Sequence, residues 1–118
     1  MSIKFNMTKD IGGYNGFGIM PTYDIKATTL AKNVAQSCTV PVNYPNWIAI
    51  FSYTPGSSVW VDFTTTASVA GGAFASSTSS LNPSARSVKA GDTISVITSD
   101  DFSPQVSIEF QVIQPYQN

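Results

Sequence analysis

Few side chains in this sequence could perform chemistry. The chain contains no histidine, which removes Ser-His-Asp and Cys-His catalysis and leaves no imidazole to ligate a metal. No Ser-x-x-Lys sequence is present to pair a serine nucleophile with a lysine base. The single cysteine, Cys38, cannot form a disulfide within the chain. We expect it to be a small buried residue of a β-strand.

Acid–base chemistry would therefore depend on carboxylates, and a glycosidase needs two of them facing each other across a cleft. Asp62 and Glu109 are both predicted on polar strand faces, where they could be neighbours, but a domain of this size has little room for a deep cleft. Asp100 and Asp101 could bind calcium through oxygen ligands. The favoured interpretation is a solvent-exposed turn in which the Asp side chains accept hydrogen bonds from backbone N–H groups. We predict a non-enzymatic protein with no catalytic, cofactor-binding or metal-binding residues.

Aromatic side chains are the better candidates for function, through binding. If Val59, Val61 and Phe63 face the core, Trp60 points outward, where it could stack on a sugar ring or insert into a protein partner. The remaining alternative is that Trp60 is covered by its own chain. The candidate partner-binding residues lie in three separate stretches of the sequence: Tyr14, Phe17, Trp60 and Phe74.

Composition restricts the possible partners. Charged residues make up 11% of the chain, against about 25% in an average soluble protein, and the net charge is −1. The six cationic side chains are scattered, so we expect no nucleic-acid partner. No apolar run is long enough for a membrane span, and the N-terminus lacks a signal pattern. We therefore expect synthesis in a cytoplasm and no contact with a membrane.

Hydrophobic alternation predicts the elements that must position these residues. Residues 47–53 and 59–64 each alternate with period two around a Pro-Gly turn at 54–57, and this pattern predicts an aromatic β-hairpin at the centre of a sheet. Further strands are expected near 25–30, 36–42, 84–89, 93–98 and 106–112. Residues 67–80 are almost all small, and we expect a surface loop anchored by Val69 and Phe74.

These patterns predict an all-β fold with seven or eight antiparallel strands in a single β-sandwich or jelly-roll-like domain. The domain is expected to span residues 25–118. Residues 1–24 contain four glycines around Tyr14 and Phe17, so we expect a flexible N-terminal arm that orders against a neighbouring subunit or folds over the sandwich.

Two stretches, FSYTPGSSVWV at 51–61 and LNPSARSVKAGDTIS at 81–95, together resemble small β-sandwich structural proteins of tailed-phage virions, in particular head decoration (cement) proteins. The similarity covers residues 25–113. It implies a virion protein on the capsid surface, made in the host cytoplasm, that clamps neighbouring capsomers. Its implied partners are the major capsid protein and further copies of itself in a homotrimer. The alternatives are a carbohydrate- or receptor-binding module that uses Trp60, and a tail or baseplate component.

Overall fold

The computed structural model describes residues 22–113, and within this range every regular element is a β-strand. Tyr14, Phe17 and most of the predicted N-terminal arm lie outside the described residues. The eight strands in chain order are β1 (Asp24–Thr29), β2 (Gln36–Thr39), β3 (Asn46–Tyr53), β4 (Val59–Asp62), β5 (Ser80–Leu81), β6 (Ala85–Lys89), β7 (Thr93–Thr98) and β8 (Gln105–Val112).

The strands pair as one long antiparallel hairpin that has been rolled up. β1 pairs with β8, β2 with β7, β3 with β6, and β4 with β5. Two further pairings, β3 with β8 and β4 with β7, complete the sheets. Sheet I has the order β1-β8-β3-β6 and sheet II the order β2-β7-β4-β5. This arrangement is a jelly roll, which confirms the predicted fold class.

The predicted hairpin between residues 47 and 66 is wrong, because β3 lies in sheet I and β4 in sheet II. The turn itself forms: the Ser57 amide donates to the Thr54 carbonyl over 3.1 Å, and Gly56 has a φ of 79°. The turn carries the chain from one sheet to the other. Gly91, with a φ of 83°, lies in the turn between β6 and β7, which likewise carries the chain from sheet I to sheet II.

The core lies between the two sheets, as the alternation predicts. Trp47, Ala49 and Phe51 of β3 are buried, and so are Val59 and Val61 of β4. The remaining strands contribute Val88, Ile94, Val96, Val106, Ile108 and Phe110. The Trp47 indole N–H donates to the Tyr44 carbonyl over 2.9 Å, so its polar atom is satisfied while its ring fills the centre.

Strands β1 and β2 each form one edge of their sheet, and there the inner face becomes polar. Lys26 of β1 lies opposite Ile108 in the register, and Cys38 of β2 lies opposite Ile94. Cys38 is half-buried rather than buried, because an edge strand has a neighbour on one side only. Partial burial raises the pKa of the Cys38 thiol, since it disfavours the thiolate, although Lys26 opposes this effect.

Candidate functional site

The outer face of sheet II carries a short row of apolar side chains. The register places Leu81 of β5 opposite Trp60 of β4, and Trp60 opposite Ile97 of β7. Trp60 and Ile97 are half-buried, and Leu81 is 49% exposed. Trp60 therefore points outward, as the alternation predicts, and it is neither a core residue nor fully covered. We call Leu81, Trp60 and Ile97 the Trp60 row.

Beside this row, residues 63–79 form a long segment without strands, as expected for the predicted surface loop. Phe74 does not anchor it, which corrects that part of the prediction, because its side chain is fully exposed. Val69 is half-buried and Ala67 is buried. A loop of small residues has few apolar atoms to bury, so hydrogen bonds must hold it in place.

Asp62 provides those bonds at the end of β4. Its Oδ1 accepts the backbone N–H groups of Thr64 and Thr65, each over 2.9 Å, and the Thr64 hydroxyl over 3.0 Å. Its Oδ2 accepts the hydroxyls of Thr78 over 2.6 Å and Ser79 over 2.9 Å. One carboxylate thus joins both ends of the segment to sheet II.

Asp62 lies on the outer face of β4, as the alternation predicts, but the hydrogen-bonded 63–79 segment covers it and leaves the residue only 1% exposed. Burial raises its pKa, but the hydrogen bonds from Thr78, Thr64, Thr65 and Ser79 outweigh burial and hold the pKa well below its usual range. Asp62 is therefore a structural acceptor that is ionised near neutral pH, and such a group does not suit a general acid.

Next to Asp62, the loop and sheet II enclose an open groove of about 690 Å³. Its floor is the outer face of β2 and β7, where Ser37 lies opposite Ser95. One wall is the segment 63–66 that Asp62 holds, and the turn at 91–92 closes one end. We call it the β2–β7 groove. Its lining residues are Ala35, Gln36, Ser37, Phe63, Thr64, Thr65, Thr66, Gly91, Asp92, Thr93 and Ser95.

Asp62 and Glu109 do not form the pair that glycosidase chemistry requires. Asp62 lies on the outer face of sheet II, whereas Glu109 alternates with the buried Ile108 and Phe110 and lies on the outer face of sheet I. The two are on opposite sides of the sandwich, so the suggestion that they are neighbours is wrong. Among residues 22–113, no group of three or more His, Cys, Asp or Glu side chains could hold a metal ion.

At Asp100 the structure has the predicted turn, in which the Asp side chain accepts a backbone hydrogen bond. The Asp100 carboxylate accepts the Ser58 backbone N–H over 2.6 Å, while Asp101 is exposed. This bond ties the β7–β8 connection to the start of β4.

Trp60 and Phe74 are the candidate binding residues that the structure describes. Trp60 lies on a rigid strand and Phe74 on the loop beside it, and neither ring packs against another aromatic ring within residues 22–113. Tyr14 and Phe17 lie outside the described residues.

Sequence reasoning missed the Asp62 network and the β2–β7 groove. The spacing Asp62-x-Thr64-Thr65 carries a local signal, because Asp side chains often accept the amides two and three residues later. Thr78 and Ser79 carry no such signal, since they reach Asp62 only through the fold.

Comparison of the chain with models of known protein families, with curated proteins and with solved structures returned no match. Within the described range, no helix is long and apolar enough to cross a membrane.

Proposed function

We propose that this chain is a non-enzymatic structural protein of a tailed-phage virion, a decoration (cement) protein that stabilises contacts between capsomers. Its partners would be the major capsid protein and further copies of itself in a homotrimer on the capsid surface. The resemblance at 51–61 and 81–95 suggests the class of virion protein. The jelly roll is compatible with that class, although a fold alone does not specify a function.

The Trp60 row is the observation that carries the proposal. A tryptophan held on a central strand of the sheet and flanked by Leu81 and Ile97 presents apolar surface that no described residue covers fully. Tryptophan is enriched among the residues that dominate protein–protein binding energy. Because the strand backbone is already fixed, little conformational entropy is lost when a partner packs on it.

Phe74 is a second candidate for apolar contact with a partner. Its ring is fully exposed and lies near the middle of the 63–79 segment. Both ends of this segment are hydrogen-bonded to Asp62. Burial of this ring in a partner pocket would stabilise a complex by about 2 kcal/mol, because it removes a large apolar surface from water. The surrounding hydroxyl-rich surface suits close packing against a neighbour without charge pairing.

Co-sedimentation of the purified protein with capsids that lack it tests this proposal. Trp60→Ala should weaken capsid binding by about 2 kcal/mol, or roughly thirtyfold, because it removes the central anchor. Ile25→Ala is the matched control, since Ile25 is a 54% exposed apolar residue on the opposite face of the sandwich. Its binding should equal that of the wild type.

Two results would argue against the proposal. The first is that the wild-type protein does not bind capsids at all. The second is that it binds isolated tails instead, through the same Trp60-dependent surface, which would favour the tail or baseplate component.

A further inference from the structure

The β2–β7 groove has a chemistry different from that of the Trp60 row. We propose that it binds a neutral oligosaccharide, as a site separate from the protein-contact surface. Its volume of about 690 Å³ lies within the range of about 300–1,000 Å³ typical of small-molecule sites. Trp60 does not line it, so this site differs from the Trp60 sugar contact that the alternation suggests.

The charge of the lining selects against anionic ligands. Asp92 is the only ionisable side chain among the described lining residues, none of which is a lysine or arginine that could pair with a phosphate or carboxylate. The Asp92 Oδ2 accepts the Lys89 backbone N–H over 3.0 Å, which orients the carboxylate. Its Oδ1 remains to accept hydroxyl groups of a ligand, and hydrogen bonds to a charged acceptor are the stronger ones.

Gln36 borders the other end of the groove, but its register opposite Val96 places its side chain on the inner face of β2. There its Oε1 accepts the Thr28 hydroxyl over 2.9 Å, and its Nε2 donates to the Thr29 carbonyl over 3.0 Å, which ties β2 to β1 beside the groove. The ligand groups of the groove are instead the hydroxyls of lining residues such as Ser37, Thr65 and Thr93. Each hydroxyl can both donate and accept, and so it matches a sugar hydroxyl.

The groove is formed before any ligand binds. The Asp62 carboxylate fixes the amides of Thr64 and Thr65, and the Ala67 amide donates to the Ser95 hydroxyl over 2.9 Å. The Phe63 ring packs edge-to-face on the core residue Phe51, at a centroid distance of 6.0 Å, and adds an apolar surface to the wall. Such preorganisation reduces the entropy lost on binding.

The floor of the groove presents side chains rather than backbone. β2 and β7 pair with each other in the register Ser37↔Ser95 and Thr39↔Thr93, and the outer-face side chains of these strands point into the groove. Recognition on this floor therefore depends on side-chain hydroxyls and one carboxylate.

A glycan array of immobilised neutral and acidic oligosaccharides, probed with the wild-type protein, identifies the ligand. Titration of the free oligosaccharide that binds, followed by two-dimensional amide NMR, should then shift signals of residues 36–37, 64–66 and 91–93. Thr93→Val and Thr65→Val should each weaken binding about fivefold, the equivalent of one hydrogen bond. Thr39→Val is the matched control, because Thr39 lies on the same face of β2 but does not line the groove, and its affinity should be unchanged.

A blank array would overturn the proposal, and so would binding restricted to acidic oligosaccharides. Binding that survives both groove substitutions but is lost in Trp60→Ala would move the sugar site to the Trp60 row. The NMR map of the wild-type protein decides between the two surfaces even if a variant fails to fold. Capsid binding is measured separately, so this proposal and the proposed virion role can fail independently.

Discussion

Asp62 controls how the 63–79 segment lies on sheet II. Five hydrogen bonds converge on its carboxylate, from two backbone amides and three hydroxyls. The sequence pattern predicts the amide contacts but not those from Thr78 and Ser79, which are 16 and 17 residues away. Those contacts arise only after β4 and β5 have paired.

The lowered pKa of Asp62 predicts how stability depends on pH. A carboxyl whose folded pKa lies below its unfolded value of about 4 stabilises the fold above that value, and this contribution is lost as the pH falls. The free energy of unfolding of the wild type should therefore exceed that of Asp62→Asn by about 2 kcal/mol near pH 7. The difference should shrink between about pH 5 and about pH 2.

Denaturant unfolding across this pH range measures the effect. Asp101→Asn is the control, because Asp101 is exposed, and its stability should stay within about 0.5 kcal/mol of the wild type. A difference between wild type and Asp62→Asn that does not change with pH would contradict the assigned ionisation of Asp62.

At the scale of elements, the strand positions were predictable and their partners were not. Period-two alternation reports which face of a strand is buried, and it located β3 and β8 to within a residue or two. It does not report which strand lies alongside. Both tight turns, at Gly56 and Gly91, are typical of hairpins, yet each crosses between the sheets.

The crossing after β3 depends on the backbone of Gly56. Its φ of 79° lies in the left-handed region, although a Cβ added there would meet no atom within 4 Å. Gly56→Ala should therefore lower the free energy of unfolding by about 1 kcal/mol through backbone strain alone. Thermal unfolding measures this, with Gly71→Ala as the control, because Gly71 has equal space and no strained φ. Equal melting temperatures for the two variants would contradict this account of the turn.

The two tryptophans occupy different positions in the sandwich, and replacing each of them with alanine should change the free energy of unfolding by different amounts. Trp47 is fully buried at the centre of the core, so Trp47→Ala should cost about 3–5 kcal/mol. Trp60 lies half-buried on the outer face, and Trp60→Ala should cost only about 1–2 kcal/mol and leave a folded protein. Denaturant midpoints report both values. A loss for Trp60→Ala as large as that for Trp47→Ala would place Trp60 in the core.

The jelly roll joins the two ends of the described chain. β1 pairs with β8 along its full length, from Asp24↔Phe110 to Thr29↔Gln105. The number and spacing of strands predict a sandwich, but pairings between such distant segments leave no local pattern in the sequence. The binding surfaces depend on these pairings, since Leu81, Trp60 and Ile97 form a row only after β5, β4 and β7 lie side by side.

A decoration protein must be a stoichiometric part of the capsid, and quantitative mass spectrometry of purified virions measures that stoichiometry. If the chain has the proposed role, the virions of its phage should contain it in a copy number comparable with that of the major capsid protein. Its absence from virions, or its presence in only the few copies typical of a tail component, would contradict the assignment as a capsid decoration protein.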